Sequence, residues 1–293
     1  MSELKFDLPL RIHWRPGSEV SPAIVESIRK ANPLAVTVHV EDVEQLAATG
    51  LPWEGIPVVV IHNGWRKQTA SLPALDVHRW EFPVRGPDEA MALASGGFAG
   101  ADPARAALRW YPVRGKLRHL APILELAARY GCSVTLPNRP ADVITSEEGG
   151  TFPDPDELDD GLFGAVRSAA ALLQPGKIRV HDFILTRALG LESMEPSGCE
   201  AANAIAFIDG EGIVYPCETL GVPMGDLGRE ELEAIWASPL RARVRTDVGK
   251  MPGVCVRCPE LTMCRGGCRG AVYHLKGHYL APDPMCPLSC NSG

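Results

Sequence analysis

The chain has 293 residues, of which 45% are hydrophobic and 22% are charged, so it is long enough for a sizeable core and two domains. Its net charge of -7 argues against sequence-independent binding of nucleic acid, which relies on a basic surface. No apolar run reaches the roughly 18 residues of a membrane span, and the first residues lack the basic and apolar regions of a signal peptide. We therefore expect a cytoplasmic protein with neither a nucleic acid nor a membrane as partner.

Short apolar segments alternate with helical patterns from the start of the chain to about residue 180. The predicted strands are Leu10–Trp14, Ala35–Val40, Pro57–Ile61, Leu75–Phe82, Ala107–Val113 and Ser133–Leu136. The predicted helices are Pro22–Ala31, Val43–Thr49, Pro87–Ala94, Leu120–Tyr130 and Glu157–Leu173. Strands rich in Val and Ile, each followed by a crossover, predict an α/β fold with a parallel sheet covered by helices. Both a partial barrel and a doubly wound open sheet fit this pattern.

Four histidines stand at or near the ends of the first four predicted strands: His13, His39, His62 and His78. One interpretation makes them a functional ring, because the active sites of such sheets lie at the carboxyl ends of the strands. The interpretation we favour is that they are polar residues that begin loops or face outward. In the same half, Cys132 begins a buried strand, which favours a small core residue over a catalytic thiol.

Eight of the nine cysteines fall in the last 95 residues. They are Cys199, Cys217, Cys255, Cys258, Cys264, Cys268, Cys286 and Cys290. Thiols at this density serve iron–sulfur clusters, zinc or disulfides, and disulfides are rare in the cytosol. The alternating segment Ala204–Cys217 predicts a β-hairpin that brings Cys199 near Cys217. Cys255-x2-Cys258 predicts a tight turn, and Gly266-Gly267 would let the backbone approach a bulky inorganic core.

This cysteine pattern resembles the signature of the SPASM domain, the auxiliary-cluster module of radical S-adenosylmethionine (SAM) peptide-modifying enzymes. The resemblance covers about residues 197–290, with the DGEG hairpin and the CRGGCRGAVY stretch. It implies two auxiliary [4Fe–4S] clusters. Carried over by position, Cys199, Cys217 and Cys268 would hold the first cluster. Cys255, Cys258, Cys264 and Cys286 would hold the second.

The resemblance leaves the fourth ligand of the first cluster open. In members that have this ligand, it is a cysteine a few residues before the position of Cys199. Residues 191–198 read LESMEPSG here, without a cysteine. The remaining choices are an open iron, an oxygen ligand such as Glu195, or Cys290 as a substitute.

The motif that holds the catalytic cluster of radical SAM enzymes is missing. Those enzymes carry C-x3-C-x2-C after the first barrel strand, whereas residues 14–21 read WRPGSEVS and no cysteine precedes Cys132. The order of elements resembles a radical SAM barrel that has lost this site. We therefore predict a degenerate partial (β/α)6 barrel over residues 1–185, a SPASM domain over residues 186–293, and no bound SAM.

The whole chain resembles the SPASM-domain companion protein of GeoRSP-type peptide-modification systems. The resemblance implies an iron–sulfur accessory protein that binds a radical SAM/SPASM enzyme or its precursor peptide and relays electrons, in the maturation of a ribosomally made peptide. Two alternatives stay open. One is an enzyme that uses an open iron of the first cluster. The other is a zinc-binding interaction module built on the four cysteines from 255 to 268, assisted by His274 or His278.

Overall fold

The computed structural model describes residues 6–51, 53–67, 72–73, 75–139, 153, 155–181, 183–191 and 198–288. Two compact units make up the chain: residues 1–81 with 200–249 (unit 1), and residues 82–199 with 250–293 (unit 2). The predicted division near residue 185 stays a prediction. Among the described residues, no helix combines the length and the apolar character needed to cross a membrane.

Ten strands are described. They are β1 (Arg11–Trp14), β2 (Ala35–Val40), β3 (Val58–His62), β4 (Arg79–Pro83), β5 (Ala106–Arg109), β6 (Ser133–Leu136), β7 (Ile178–Val180), β8 (Ile205–Ile208), β9 (Ile213–Tyr215) and β10 (Gly225–Asp226). The α-helices are α1 (Pro22–Ala31), α2 (Glu44–Thr49), α3 (Pro87–Ser95), α4 (Leu120–Tyr130), α5 (Asp160–Ala170), α6 (Phe183–Ala188), α7 (Leu232–Trp236), α8 (Pro239–Val248), α9 (Gly253–Val256), α10 (Leu261–Cys264) and α11 (Arg269–Lys276).

In unit 1 the strands lie in the order β10-β9-β8-β1-β2-β3-β4. β1 pairs in parallel with both β2 and β8, whereas β8, β9 and β10 pair antiparallel. The helix α1 has a proline at its first position and buries Ile24 and Ile28, so one face of it covers the core. The strands β1, β2 and β3 bury Ile12, Trp14 and a row of valines, as expected for a sheet covered by helices.

In unit 2 the strands β5, β6 and β7 lie side by side and pair in parallel. The helix α4 packs against α3 and α5 and buries Leu120, Ile123 and Leu124. It ends at Gly131, whose φ of 74° is the left-handed value that glycine adopts without strain. The helix α5 begins where Asp159 accepts a hydrogen bond from Leu162 N–H at 2.7 Å, a side-chain N-cap.

The α/β class and the order of the first six strands are confirmed. The predicted strands Ala35–Val40 and Ser133–Leu136 and the predicted helices Pro22–Ala31 and Leu120–Tyr130 have the bounds of the structure. The prediction Leu75–Phe82 began too early, because β4 starts at Arg79. The elements that were not predicted include β7 and α6, which are short and contain polar residues.

Candidate metal centre

The first cysteine pair lies on a tight turn in unit 2. Cys255 belongs to α9, and Cys258 N–H donates a hydrogen bond to the Cys255 carbonyl at 3.0 Å, as the C-x2-C spacing predicts. Cys264 is the last residue of α10, where its N–H donates to the Glu260 carbonyl at 2.8 Å. A short helical turn therefore separates the pair from the third thiol. The Arg187–Glu260 ion pair, with 2.6 Å between Nη1 and Oε1, ties this turn to α6.

The next cysteine caps a helix. Cys268 precedes α11, and its Sγ accepts a hydrogen bond from Ala271 N–H at 3.4 Å. Gly266 and Gly267 before it have φ values of 83° and 70°, a conformation that residues with a Cβ atom rarely adopt. Arg265 before them has a φ of 52°, so all three residues between Cys264 and Cys268 adopt the left-handed conformation.

Asp283 connects Cys268 to the last described cysteine. Its Oδ2 accepts a hydrogen bond from Cys268 N–H at 2.6 Å, and its Oδ1 accepts one from Met285 N–H at 2.8 Å. Its carbonyl accepts a third from Cys286 N–H at 3.0 Å. Burial raises the pKa of Asp283, while the two backbone N–H donors and the Arg269 charge act to lower it. Asp283 thus fixes the backbone at two predicted ligand positions, at Cys268 through its carboxyl group and at Cys286 through its main-chain carbonyl.

Arg269 brings a positive charge to the same region. Its side chain is fully buried, with Nη1 donating to the Gly266 carbonyl at 2.8 Å and Nη2 donating to the Tyr279 carbonyl. Its Nε is buried and finds no hydrogen-bond partner among the described residues. A buried guanidinium costs free energy unless anions or acceptors surround it, so this position favours a negatively charged neighbour.

The thiols are close enough to influence one another's ionisation. Burial raises the pKa of Cys255 above its ordinary value, and the nearby Cys286 and Cys258 raise it further. The Arg269 charge acts in the opposite direction. Thiolates crowded in this way repel one another, and cations that bind all of them relieve the repulsion.

Cys199 is the last residue of the first segment of unit 2 and follows Gly198. An atom added at the Cβ position of Gly198 would lie 3.7 Å from the side chain of Arg265, one residue after Cys264. Gly198 therefore brings the backbone just before Cys199 close to the segment from Cys264 to Cys268. Cys290 and Glu195, the candidates for a fourth ligand, fall outside the described residues. His274 lies on α11, and His278 accepts a hydrogen bond from Leu280 N–H at 3.1 Å.

Cys217 lies in unit 1, just after the predicted hairpin, which is β8 and β9. Ala202 N–H donates to the Pro216 carbonyl at 3.0 Å, immediately before Cys217. Two arginines of α8 fix the start of the hairpin: Arg241 Nε donates to the Ala202 carbonyl at 2.7 Å and Arg245 Nη1 to the Ala201 carbonyl at 3.1 Å. The backbone before Cys217 is therefore bound to a segment that the two arginines hold in turn.

The residues of unit 2 fit an iron–sulfur cluster. Their cysteines are thiols and not disulfides, and the buried Arg269 charge lies close enough to Cys255 to act on the pKa of that thiol. Thiolate sulfurs are the donors that such clusters take. The assignment of individual cysteines to two clusters stays a prediction.

The favoured interpretation of the strand-end histidines is wrong for two of the four. His39 lies within β2 and His62 ends β3, and they are 3% and 1% exposed, so neither is a solvated loop residue. His13 is half-buried within β1, whereas His78 is exposed before β4. Cys132 is 1% exposed, which confirms it as a core residue. The signal that could have revealed the histidines is their alternation with apolar residues inside the strands.

Comparison with known proteins agrees with the cysteine geometry. Residues 199–259 match the family model of SPASM, an iron–sulfur cluster-binding domain. Curated relatives include AdoMet-dependent heme synthases of Methanosarcina barkeri and Nitratidesulfovibrio vulgaris, 31% and 29% identical over 97 residues. That match covers 33% of this chain with 27% and 26% of the two relatives, so the chain spans about a quarter of their length.

Solved structures of similar fold cover nearly the whole chain. One is Streptococcus suis SuiB bound to precursor peptide SuiA, with a TM-score of 0.65, 14% identity, and coverage of 96% of this chain and 76% of that one. Another is anSMEcpe with bound AdoMet and Cp18Cys peptide, with a TM-score of 0.60, 12% identity, and coverage of 95% and 94%. The chain therefore carries a SPASM iron–sulfur cluster-binding domain and shares its fold with radical SAM/SPASM peptide-modifying enzymes.

Proposed function

We propose that this chain is a cytoplasmic iron–sulfur accessory protein of a radical SAM peptide-maturation system. It binds a radical SAM/SPASM enzyme or its precursor peptide and exchanges electrons with the enzyme. The observation that carries the proposal is a SPASM domain in a chain whose first strand is not followed by the C-x3-C-x2-C motif. Without the three cysteines of that motif the chain lacks the ligand set that holds a SAM-binding cluster, so the radical chemistry belongs to a partner.

The local structure after β1 supports this role. Gly17, in the segment where the motif would stand, lies against Gly210 of the β8–β9 turn, and an atom at the Cβ position of Gly210 would be 2.8 Å from Gly17 Cα. Arg15 N–H also donates to the Ile208 carbonyl at 2.9 Å. The backbone of the hairpin thus fills the space beside this segment.

The cysteines of the SPASM domain would hold the clusters. We assign Cys255, Cys258, Cys264 and Cys286 to one [4Fe–4S] cluster, and Cys199, Cys217 and Cys268 to another, with residues 186–293 as the cluster domain. When bound, such clusters supply one-electron transfer at a potential set by burial, hydrogen bonds and nearby charge. Arg269 contributes a buried positive charge near Cys255, which favours the reduced state, and Asp283 positions Cys268 and Cys286.

The fold neighbours suggest the nature of the partner. SuiB is bound to the precursor peptide SuiA and anSMEcpe to the Cp18Cys peptide, so this fold accommodates peptides in those two proteins. A protein that keeps the fold and the SPASM domain could hold a peptide for a partner enzyme. Neither holding a substrate peptide nor passing electrons requires this chain to bind SAM.

The proposal is tested by mixing the anaerobically purified protein with a radical SAM/SPASM enzyme encoded beside it and with that enzyme's precursor peptide. We expect saturable binding to the enzyme or the peptide, and faster formation of modified peptide when the protein carries its clusters. Binding to neither component, together with modification at the same rate without the protein, would refute the accessory role.

A further inference from the structure

Three side chains that the cluster assignment does not use come together in unit 1. His13 lies in β1, His39 in the adjacent parallel strand β2, and Glu218 shortly after β9. The register pairs His13 with Thr37, so His39, two residues further on, lies on the same face of the sheet. β8 flanks β1 on its other side and carries the hairpin that leads to Glu218.

The ligand atoms of these side chains converge on one point. His13 Nδ1 lies 3.3 Å from Glu218 Oε2, and His39 Nε2 contacts Glu218 Oε1. One ligand atom from each residue lies within 4.8 Å of the other two. Zinc takes nitrogen and oxygen ligands at 2.0–2.1 Å, so two ligands of a tetrahedral ion lie about 3.4 Å apart. The 3.3 Å between His13 and Glu218 is close to that value, whereas His39 and Glu218 lie closer together than two such ligands and would move apart around the ion.

The site is enclosed. The side chains of His13, His39 and Glu218 are 17%, 2% and 10% exposed. The Phe207 ring lies edge-on to His39 with 6.5 Å between ring centroids, and the Arg15 guanidinium lies 5.5 Å from the centroid of Phe207. Apolar and aromatic walls limit water, which strengthens the attraction between a carboxylate and a cation.

The donor types suit a cation. One carboxyl group contacts two imidazoles in an enclosed site, through Oε2 to His13 and through Oε1 to His39. One divalent ion can bind both imidazole nitrogens and the carboxylate at once.

We propose that His13, His39 and Glu218 bind one divalent transition-metal ion, using donor atoms distinct from the seven cysteines. Two imidazoles and one carboxylate are the donor set of catalytic zinc sites and of non-haem iron(II) sites. Three protein ligands leave at least one position for water or another small ligand. The metal is therefore exchangeable and of the catalytic type, not a closed structural site.

The test uses the anaerobically purified full chain with its clusters in place. Residual metal is removed with a mild chelator, and Zn²⁺ is titrated in competition with a chromophoric chelator. We expect one additional zinc per chain. Glu218→Gln and His13→Gln should each weaken zinc binding by at least about 100-fold. Mutation of a residue that only hydrogen-bonds to a ligand lowers metal affinity by about 10- to 100-fold, and loss of a ligand itself should cost more. His78→Gln, at an exposed histidine of the same unit, is the control and should bind as the wild type.

Two further readouts separate this site from the clusters. Iron and sulfide per chain should be unchanged in His13→Gln, because β1 carries no cysteine. Co²⁺ added to the wild type should give a ligand-field spectrum without a thiolate charge-transfer band, which requires no variant to fold. The proposal would be overturned if the chain bound no zinc other than zinc at the cysteines. A cobalt spectrum that shows only thiolate ligands would also overturn it.

Discussion

Gly267 lies so close to Asp283 that an atom at its Cβ position would be 2.4 Å from Asp283 Oδ2. The same carboxyl oxygen accepts the hydrogen bond from Cys268 N–H. Gly267→Ala should therefore move Asp283 and displace Cys268. We expect a loss of about 2–4 kcal/mol in the free energy of unfolding, from the left-handed φ and the clash together, with a lower iron content. Denaturant unfolding and iron analysis measure the two effects.

Gly277→Ala is the matched control for this change. Gly277 has the same φ of 70°, but nothing lies within 4 Å of its Cβ position. It should cost about 1 kcal/mol and leave the iron content unchanged. Equal effects of the two substitutions on iron would show that Asp283 does not position Cys268.

Arg269→Met should destabilise the protein by about 3–5 kcal/mol, because it leaves the buried Asp283 without its cationic neighbour. It should also shift the cluster potential to a more negative value, since a positive charge near Cys255 is lost. Arg257→Met, at an exposed position between Cys255 and Cys258, is the control and should change stability by less than about 0.5 kcal/mol. A potential that is the same in both variants would contradict the role of Arg269.

Cys132 should resist alkylation. Burial raises its pKa to about 11, so only about one molecule in a thousand carries the thiolate at pH 8. We expect iodoacetamide to modify the cluster cysteines after removal of iron, while Cys132 stays unmodified up to pH 9. Mass spectrometry of peptides after alkylation at several pH values measures this difference, and early modification of Cys132 would show that β6 opens readily.

Cys264→Ser should remove the iron held by the second ligand set, because three thiolates hold a cubane less well than four. Cys132→Ser gives the comparison, since it changes a buried thiol that has no part in the site. We expect iron per chain to fall by about half in the first variant and to stay unchanged in the second. Iron retained in full by Cys264→Ser would remove Cys264 from the ligand set.

Local patterns were sufficient to predict much of the fold. The valine-rich β2 and the helix α1, with its initial proline and periodic isoleucines, are determined by residues near one another in the chain. The tight turn at Cys255–Cys258 follows from the two-residue spacing of its cysteines. Each of these features needs no contact from a distant part of the sequence.

The features that were missed depend on such contacts. The meeting of His13 and His39 with Glu218 requires the pairing of β8 with β1, which periodicity does not specify. The burial of Arg269 depends on the carbonyls of Gly266 and Tyr279, and an arginine is ordinarily predicted to be exposed. Both features arise from contacts between distant parts of the chain, so patterns within a short segment do not predict them.

The most direct test of the central claim is the content of iron, acid-labile sulfide and zinc per chain in anaerobically purified protein, with EPR of the reduced sample. Two thiolate-held cubanes would give about eight irons with matching sulfide and an EPR signal that appears on reduction. Zinc bound to the cysteines with no sulfide would contradict the account and make this chain a zinc-binding interaction module.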